Sequence, residues 1–225
     1  MKVALCLSGQ SRFVEEGFNS FKNKLVNFDQ FDIFIHTWKD NQYEKVLPLY
    51  SPVSYICEPQ RKDITLGEKN ISFVQKPAGS GNFVHYSMFY SIMTANKLKI
   101  EYENENNFKY DCVIRSRFDV ALFDTLDVFD YDLEKVNSPN VVRKNLNVIS
   151  DWLNFSNSYN MDIHADAYYD MPEYSKKYKK IHSGENIITY KLNKEKIATE
   201  KIEIDLRLIR SFKTPRGNWI YVNDL

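Results

Sequence analysis

Three stretches of the chain bring charged or hydrogen-bonding side chains to points where a predicted strand stops. The first is Ser8-Gly9-Gln10-Ser11-Arg12. A small-residue turn between a strand and a helix exposes backbone N–H groups near a helix start, and Arg12 adds a fixed positive charge. That chemistry suits a phosphate or diphosphate. The turn has neither the glycines of a GxGxxG loop nor the Gly-Lys-Ser/Thr ending of a Walker loop, so an ordinary surface turn remains the competing reading. The second stretch is Arg115-Ser116-Arg117-Phe118-Asp119. A buried strand ending in two guanidinium groups needs anionic partners, because unpaired buried charge is costly. Asp119 either pairs with these arginines in a structural network or holds a divalent metal or a sugar hydroxyl while the arginines face phosphate oxygens. The third comprises Ser150-Asp151-Trp152 and His182-Ser183-Gly184-Glu185. Asp151 precedes an aromatic ring able to stack on a sugar or base. Glu185 opens a predicted helix, where the helix dipole alone would favour it.

The elements that must hold these groups read as an α/β alternation. Val3 to Leu7 is a continuous apolar run, as for a strand covered on both faces. Phe13 to Phe28 carries apolar residues at helical spacing. Phe31 to Ile35 is a second strand, with His36-Thr37-Trp38 at its carboxyl end, and Val53 to Cys57 is a third. Such βαβ order predicts a mostly parallel sheet with ligand loops at the strand carboxyl ends. Residues 60–82, with Gly67, Gly79 and Gly81, read as a lining loop. A long helix is expected from about Val84 to Tyr102, with Val84, Met88, Ile92, Ala95 and Tyr102 inside and Lys97, Lys99, Glu101 and Glu103 toward solvent. Tyr110 to Arg115 is a further strand. In the less regular second half we expect one or two strands within Asn140 to Asp151, a Tyr-rich helix within Asp162 to Lys180, a helix from Gly184 to Leu192 and a late strand from Lys201 to Arg210. The tyrosines between Tyr159 and Tyr190 read as packing and surface.

Composition narrows the function classes. The 225 residues suit one domain, and 30 Lys+Arg against 30 Asp+Glu leave no net charge, which argues against nucleic acid as a partner. Cys6, Cys57 and Cys112 are widely spaced and odd in number, so reduced thiols are expected. His164 and His182 lack zinc-ligand spacing. The apolar run at the amino end is shorter than the roughly seven residues a secretory core needs, and no stretch approaches the roughly 20 of a membrane span. A cytoplasmic location is therefore expected.

Taken in order, VALCLSGQSRF (3–13), FDIFIHTW (31–38), HYSMFYSIMTANKLKIEYE (85–103), YDCVIRSRFDV (110–120), SDWLNFSNSYNMD (150–162) and HSGENIITYKL (182–192) resemble GT-A-type glycosyltransferases, akin to WavE-like lipopolysaccharide-synthesis proteins and viral sugar transferases. The resemblance implies a single GT-A-like, Rossmann-type α/β/α sandwich with a mostly parallel central sheet. It implies a nucleotide-sugar-binding half over 1–120 and an acceptor-side half over 121–225. Ser8, Gly9, Gln10, Arg12, His36, Thr37, Arg115 and Arg117 would contact the nucleotide-sugar donor. Asp119 stands where a DxD motif holds Mn²⁺ or Mg²⁺, although Arg117 replaces the first acid, which leaves open a metal-independent transfer served by that arginine. Asp151, and after it Glu185, would serve as the base toward a glycan or other hydroxyl acceptor. Two other readings stay open. One is a sugar nucleotidyltransferase, whose Gly-rich signature is absent here; the other is a non-catalytic sugar- or nucleotide-binding or assembly protein.

Overall fold

A computed structural model describes residues 1–40, 42–61, 63–66, 69–72, 81–140, 148–179, 183–211 and 219–221, with the backbone alone at 63–66, 69–72, 81–82 and 219–221. In chain order the elements are β1 (Val3–Gly9), α1 (Val14–Lys24), β2 (Asp32–Trp38), α2 (Tyr43–Tyr50), β3 (Ser54–Glu58), β4 (Asp63–Leu66), β5 (Lys69–Ser72), α3 (Gly81–Glu105), β6 (Cys112–Ser116), β7 (Val120–Leu122), β8 (Val136–Pro139), β9 (Leu153–Ser156), α4 (Ser158–Ala165), α5 (Ala167–Tyr178), α6 (Gly184–Lys194), β10 (Thr199–Ile202), β11 (Leu206–Arg210) and β12 (Trp219–Tyr221). Seven strands form the central sheet in the order β10-β8-β9-β6-β1-β2-β3. All neighbours are parallel except β9, which runs antiparallel to both β6 and β8. The expected α/β sandwich with a mostly parallel sheet is the observed fold.

Alternation along the strands divides the core between the two sheet faces. Val3, Leu5 and Leu7 of β1 pack with Val14 and Phe21 of α1 and with Val46 and Tyr50 of α2. Ala4 and Cys6 face the other way, onto Phe89, Ile92 and Ala95 of α3, where α4, α5 and α6 complete the layer. Gly17 is required at the α1 contact, since a β-carbon there would lie 1.9 Å from the Phe118 carbonyl oxygen. All three cysteines are free, and burial pushes the Cys6 thiol up to about 12. No helix among the described residues is long and apolar enough to cross a membrane.

Several expectations need correction. Strand β2 runs through Trp38, so His36 and Thr37 lie inside it and are buried rather than free at its end. Helix α2 occupies a stretch to which the sequence reading gives no element, and it forms over eight residues with Pro48 inside it. The stretch 60–82 contains the β4–β5 hairpin, and Gly81 begins α3; Gly67 and Gly79 lie outside the described residues, as does 141–147 of the segment expected to hold strands. The Tyr-rich segment is two helices, α4 and α5. The late strand is also two: β10 joins the central sheet, whereas β11 crosses to a separate sheet of order β12-β11-β7. On α3, Val84 is 60 % exposed while Lys99 and Glu103 are fully buried. Lys99 donates to Glu103 at 3.1 Å, to Ser158 at 2.6 Å and to Asp162 at 2.6 Å, so the charge expected in solvent is enclosed by α4.

Two buried imidazoles make stability pH-dependent. Burial pulls His36 down to about 4 and, with repulsion from Arg115, His164 to about 3. Both are neutral in the folded protein and gain a proton on unfolding below their ordinary value near 6.5. Their stability contribution is thus complete above that value and is lost as pH falls through the window from 6.5 toward 4 and 3. By pH 5 each should remove about 2 kcal/mol relative to pH 7.5. Denaturant melts at the two pH values test this, and His164→Gln, which does not titrate, should shrink the acid loss by about half of the imidazole share.

Candidate functional site

The sheet order reverses between β6 and β1: from β1 the chain builds outward to β2 and β3, and the later strands are added on the other side. A crevice opens at the carboxyl ends of strands at such a switch point. Here it has a volume of about 340 Å³ and is lined by Ser8, Gly9, Gln10 and Arg12, by Trp38 and Gln60, by Phe83, Val84, Ser87 and Met88 of α3, and by Arg115, Arg117 and Asp119. The cleft therefore gathers seven of the residues expected at the donor or metal site.

The β1–α1 turn is held from behind. Gly9 has φ +109°, a conformation disfavoured for side-chain-bearing residues, with open space where a β-carbon would stand. Its N–H donates to the Ser91 hydroxyl at 2.7 Å, and its carbonyl accepts from the Thr37 hydroxyl at 2.9 Å. His36 lies between Ser91 (Nδ1, 2.7 Å) and Glu58 (Nε2, 3.3 Å). A tautomer protonated at Nε2 lets Nδ1 accept from the Ser91 hydroxyl. His36 and Thr37 thus clamp the turn and do not line the cleft. One residue further, Ser11 donates its N–H to Asp40 at 2.8 Å and its hydroxyl to the other oxygen of the same carboxylate. Asp40 and Ser91 were not singled out by sequence; both lie far from the turn in the chain and act only through tertiary contact.

Positive charge dominates the opposite wall. Arg115 is 3 % exposed and donates once, from one terminal nitrogen to the Asp151 carbonyl. Its Nε and its other terminal nitrogen are buried without a protein partner, and so is the Ser8 hydroxyl. Burial lowers the guanidinium to about 10, opposed by the Asp151 carboxylate, and it remains charged at neutral pH. Asp119 is differently occupied. Arg117 grips it with a two-pronged contact at 2.8 and 2.9 Å, and Arg210 of β11 donates to the same carboxylate at 2.8 Å. Burial alone would raise the Asp119 pKa, but the two guanidinium groups hold it below the usual value. Arg210 is delivered by the second sheet, where the Ile209 N–H donates to the Asp119 carbonyl at 3.0 Å. Nothing near Arg210 in the sequence marks it, because it stands at the last position of the expected late strand with no motif around it.

A divalent cation fits this arrangement poorly. Both oxygens of Asp119 are committed to guanidinium donors, the surrounding charge is positive, and among the described residues no group of three or more His, Cys, Asp or Glu side chains converges on a metal position. Asp151 and Glu185 stand apart from the cleft lining but close enough for their carboxylates to favour the charged form of Arg117. Both are partly exposed. Gly184 brings α6 against this region: a β-carbon there would meet Met88 at 2.5 Å and the Asp151 carboxylate at 3.1 Å. The Glu185 backbone also serves its helix, its carbonyl accepting from Thr189 at 2.7 Å. His182 lies outside the described residues.

No protein-family model and no curated protein sequence matches the chain. Among solved structures it is similar to the apo-form glycosyltransferase GlyE of Streptococcus pneumoniae TIGR4, with a TM-score of 0.48 and 11 % sequence identity. The similarity covers 90 % of this chain and 45 % of that one, so the chain spans less than half the length of that protein.

Proposed function

We propose that the protein transfers a sugar from a nucleotide-sugar donor to a hydroxyl acceptor, and that guanidinium groups serve the donor diphosphate. The observation that carries the reading is Arg115: a buried, charged side chain with two N–H-bearing nitrogens unpaired beside a cleft at the topological switch point. A buried donor left unsatisfied costs about 1–3 kcal/mol, more when charged, so its retention calls for an anionic ligand. Arg12 and Arg117 border the same space, and the Gly9 turn presents backbone beside it.

In the reaction the bond between the sugar's anomeric carbon and the diphosphate oxygen breaks, and the electron pair leaves with the diphosphate. Arg115, Arg117 and Arg12 stabilise that growing negative charge, which is the usual largest contribution of a preorganised polar site. The acceptor oxygen bonds to the anomeric carbon, and its proton passes to a carboxylate. Asp151 takes that role, with Glu185 second, because both lie on the margin of the arginine wall. Asp119 orders Arg117 and Arg210 and holds no ion in this scheme.

Three outcomes follow. Nucleoside diphosphates and nucleotide-sugars of the uridine, guanosine, thymidine and cytidine classes, at about 100 times Kd, should add roughly 2.7 kcal/mol of thermal stability for the cognate class. The shift should persist in EDTA and disappear in Arg115→Met with the fold intact; a shift that requires Mn²⁺ or Mg²⁺ would overturn the guanidinium assignment, and no shift with any class would overturn the donor reading. Gly9→Ala should cost about 1–3 kcal/mol through backbone strain alone and weaken nucleotide binding, measured by denaturation and titration. Asp151→Asn should lower kcat by about 10²–10⁴-fold while donor binding is retained. If only Glu185→Gln does so, the base is Glu185; binding with no turnover in the parent protein would assign a non-catalytic role.

A further inference from the structure

A second concavity lies on the α5–α6 layer, away from the arginines. Its volume is about 690 Å³, and its walls are two helical stripes. One is Glu173, Tyr174, Lys177 and Tyr178 on α5; the other is Asn186, Thr189, Tyr190, Asn193 and Lys194 on α6, at spacings of three, four, seven and eight from Asn186. Three of the lining residues are tyrosines whose rings pack together, with centroids 4.6 Å apart for Tyr174–Tyr178 and 5.4 Å for Tyr174–Tyr190. Tyr178 is 44 % exposed. Most of the lining charge is engaged: Lys194 pairs with Glu173 at 2.6 Å and with Asp170, behind the wall, at 2.9 Å, while Lys177 sits over the Tyr178 and Tyr190 rings.

Rings for C–H faces, two side-chain amides and charges held in an ion pair or over rings fit a hydroxyl-rich ligand, unlike the arginine-lined cleft. The two regions share α6. Its first residue, Gly184, packs on Asp151 and Met88 beside the cleft, and Thr189 of the groove accepts from the Ile149 N–H at 2.9 Å, two residues before Asp151. From Asn186 to Asn193 the helix advances about 10 Å. We infer that the α5–α6 groove is a glycan-binding track whose near end meets the Asp151–Glu185 margin; as the acceptor's track it rests on the transfer reading above. It has a polar length of helix surface along which an oligosaccharide can lie, with its reacting end toward the carboxylates.

The test uses the full chain on a printed array of bacterial and eukaryotic oligosaccharides, with hydrogen–deuterium exchange on any glycan bound. Protection should fall on α5 and α6. Tyr178→Ala and Asn193→Ala, both at exposed positions, should each weaken that binding about tenfold, and Tyr178→Phe should retain it. Nucleoside diphosphate binding should be unchanged in all three, so a failed donor reading shows separately as absent nucleotide binding in the parent protein. The inference is overturned if no glycan binds, if protection maps elsewhere, or if both alanine variants bind as the parent does. Retention of a peptide in the groove in place of a glycan would overturn it equally.

Discussion

The cleft depends on one constraint: guanidinium groups carried by two different sheets converge on one buried carboxylate at the end of β6. Arg117 and Arg210 both grip that carboxylate, Asp119, while Arg115 donates to the Asp151 carbonyl on the same wall. Each arginine comes from a different local context, and each context is fixed by a sheet. Arg115 is the fourth residue of a central strand, so its direction follows from strand alternation: Val113 and Arg115 share the α3 side while Cys112 and Ile114 share the other. Arg117 leaves the strand as its pairing ends. Arg210 is carried over by a second sheet whose β7 strand begins one residue after Asp119. Removing Asp119 would therefore take from Arg117 and Arg210 the carboxylate they share, and the second sheet would lose the ion pair that ties it to the first.

Much of the fold was legible because the buried strands are written in uninterrupted apolar runs. Val3 to Leu7 and the run ending at Arg115 admit hardly another reading, and their parallel pairing follows from the intervening helices. The failures occurred where one element is covered on more than one side. On α3, Lys99 and Glu103 occupy positions that periodicity assigns to water, and nothing in that window shows that α4 will be laid over them. Conversely Val84, assigned inside, is exposed near the helix start, where the stripe turns outward toward the cleft. The β10–β11 split was hidden for a related reason: Ile202, Ile204, Leu206 and Leu208 alternate smoothly, so the residues between the strands keep the period although the sheet changes.

The site was legible in its first ring of residues and not in what holds them. Strand-end turns with small or charged residues point to Ser8–Arg12 and Arg115–Asp119 from local pattern alone. His36 and Thr37, picked out by the same reasoning, lie inside β2 and behind the cleft, because the strand runs on to Trp38 and turns an expected end into an interior. Their actual contacts are with the Gly9 turn: Thr37 reaches it directly, and His36 through Ser91. Ser91, Asp40 and Arg210 lie 82, 29 and 91 residues from the groups they contact, and no spacing rule connects them. Such support is visible only after the chain has folded.

The contrast between two buried cations strengthens the reading of the cleft. Lys99 is fully enclosed, and its ammonium meets Glu103, Asp162 and Ser158, using its three donors on three partners; Glu103 in turn accepts from Ser158, Lys109 and the Tyr110 N–H. The desolvation cost of both charges is offset within the protein, as a structural pair demands. Arg115, nearly as enclosed, makes one hydrogen bond to a carbonyl and leaves two nitrogens without partners. The chain can therefore complete a buried cation's shell where the shell serves packing, and at Arg115 it does not. Leaving such a group open lowers stability with no return from the folded state alone. In the donor reading proposed above, the compensating interaction comes from outside the chain through the cleft that Arg115 borders, because a planar guanidinium suits paired anionic oxygens better than a single point of charge.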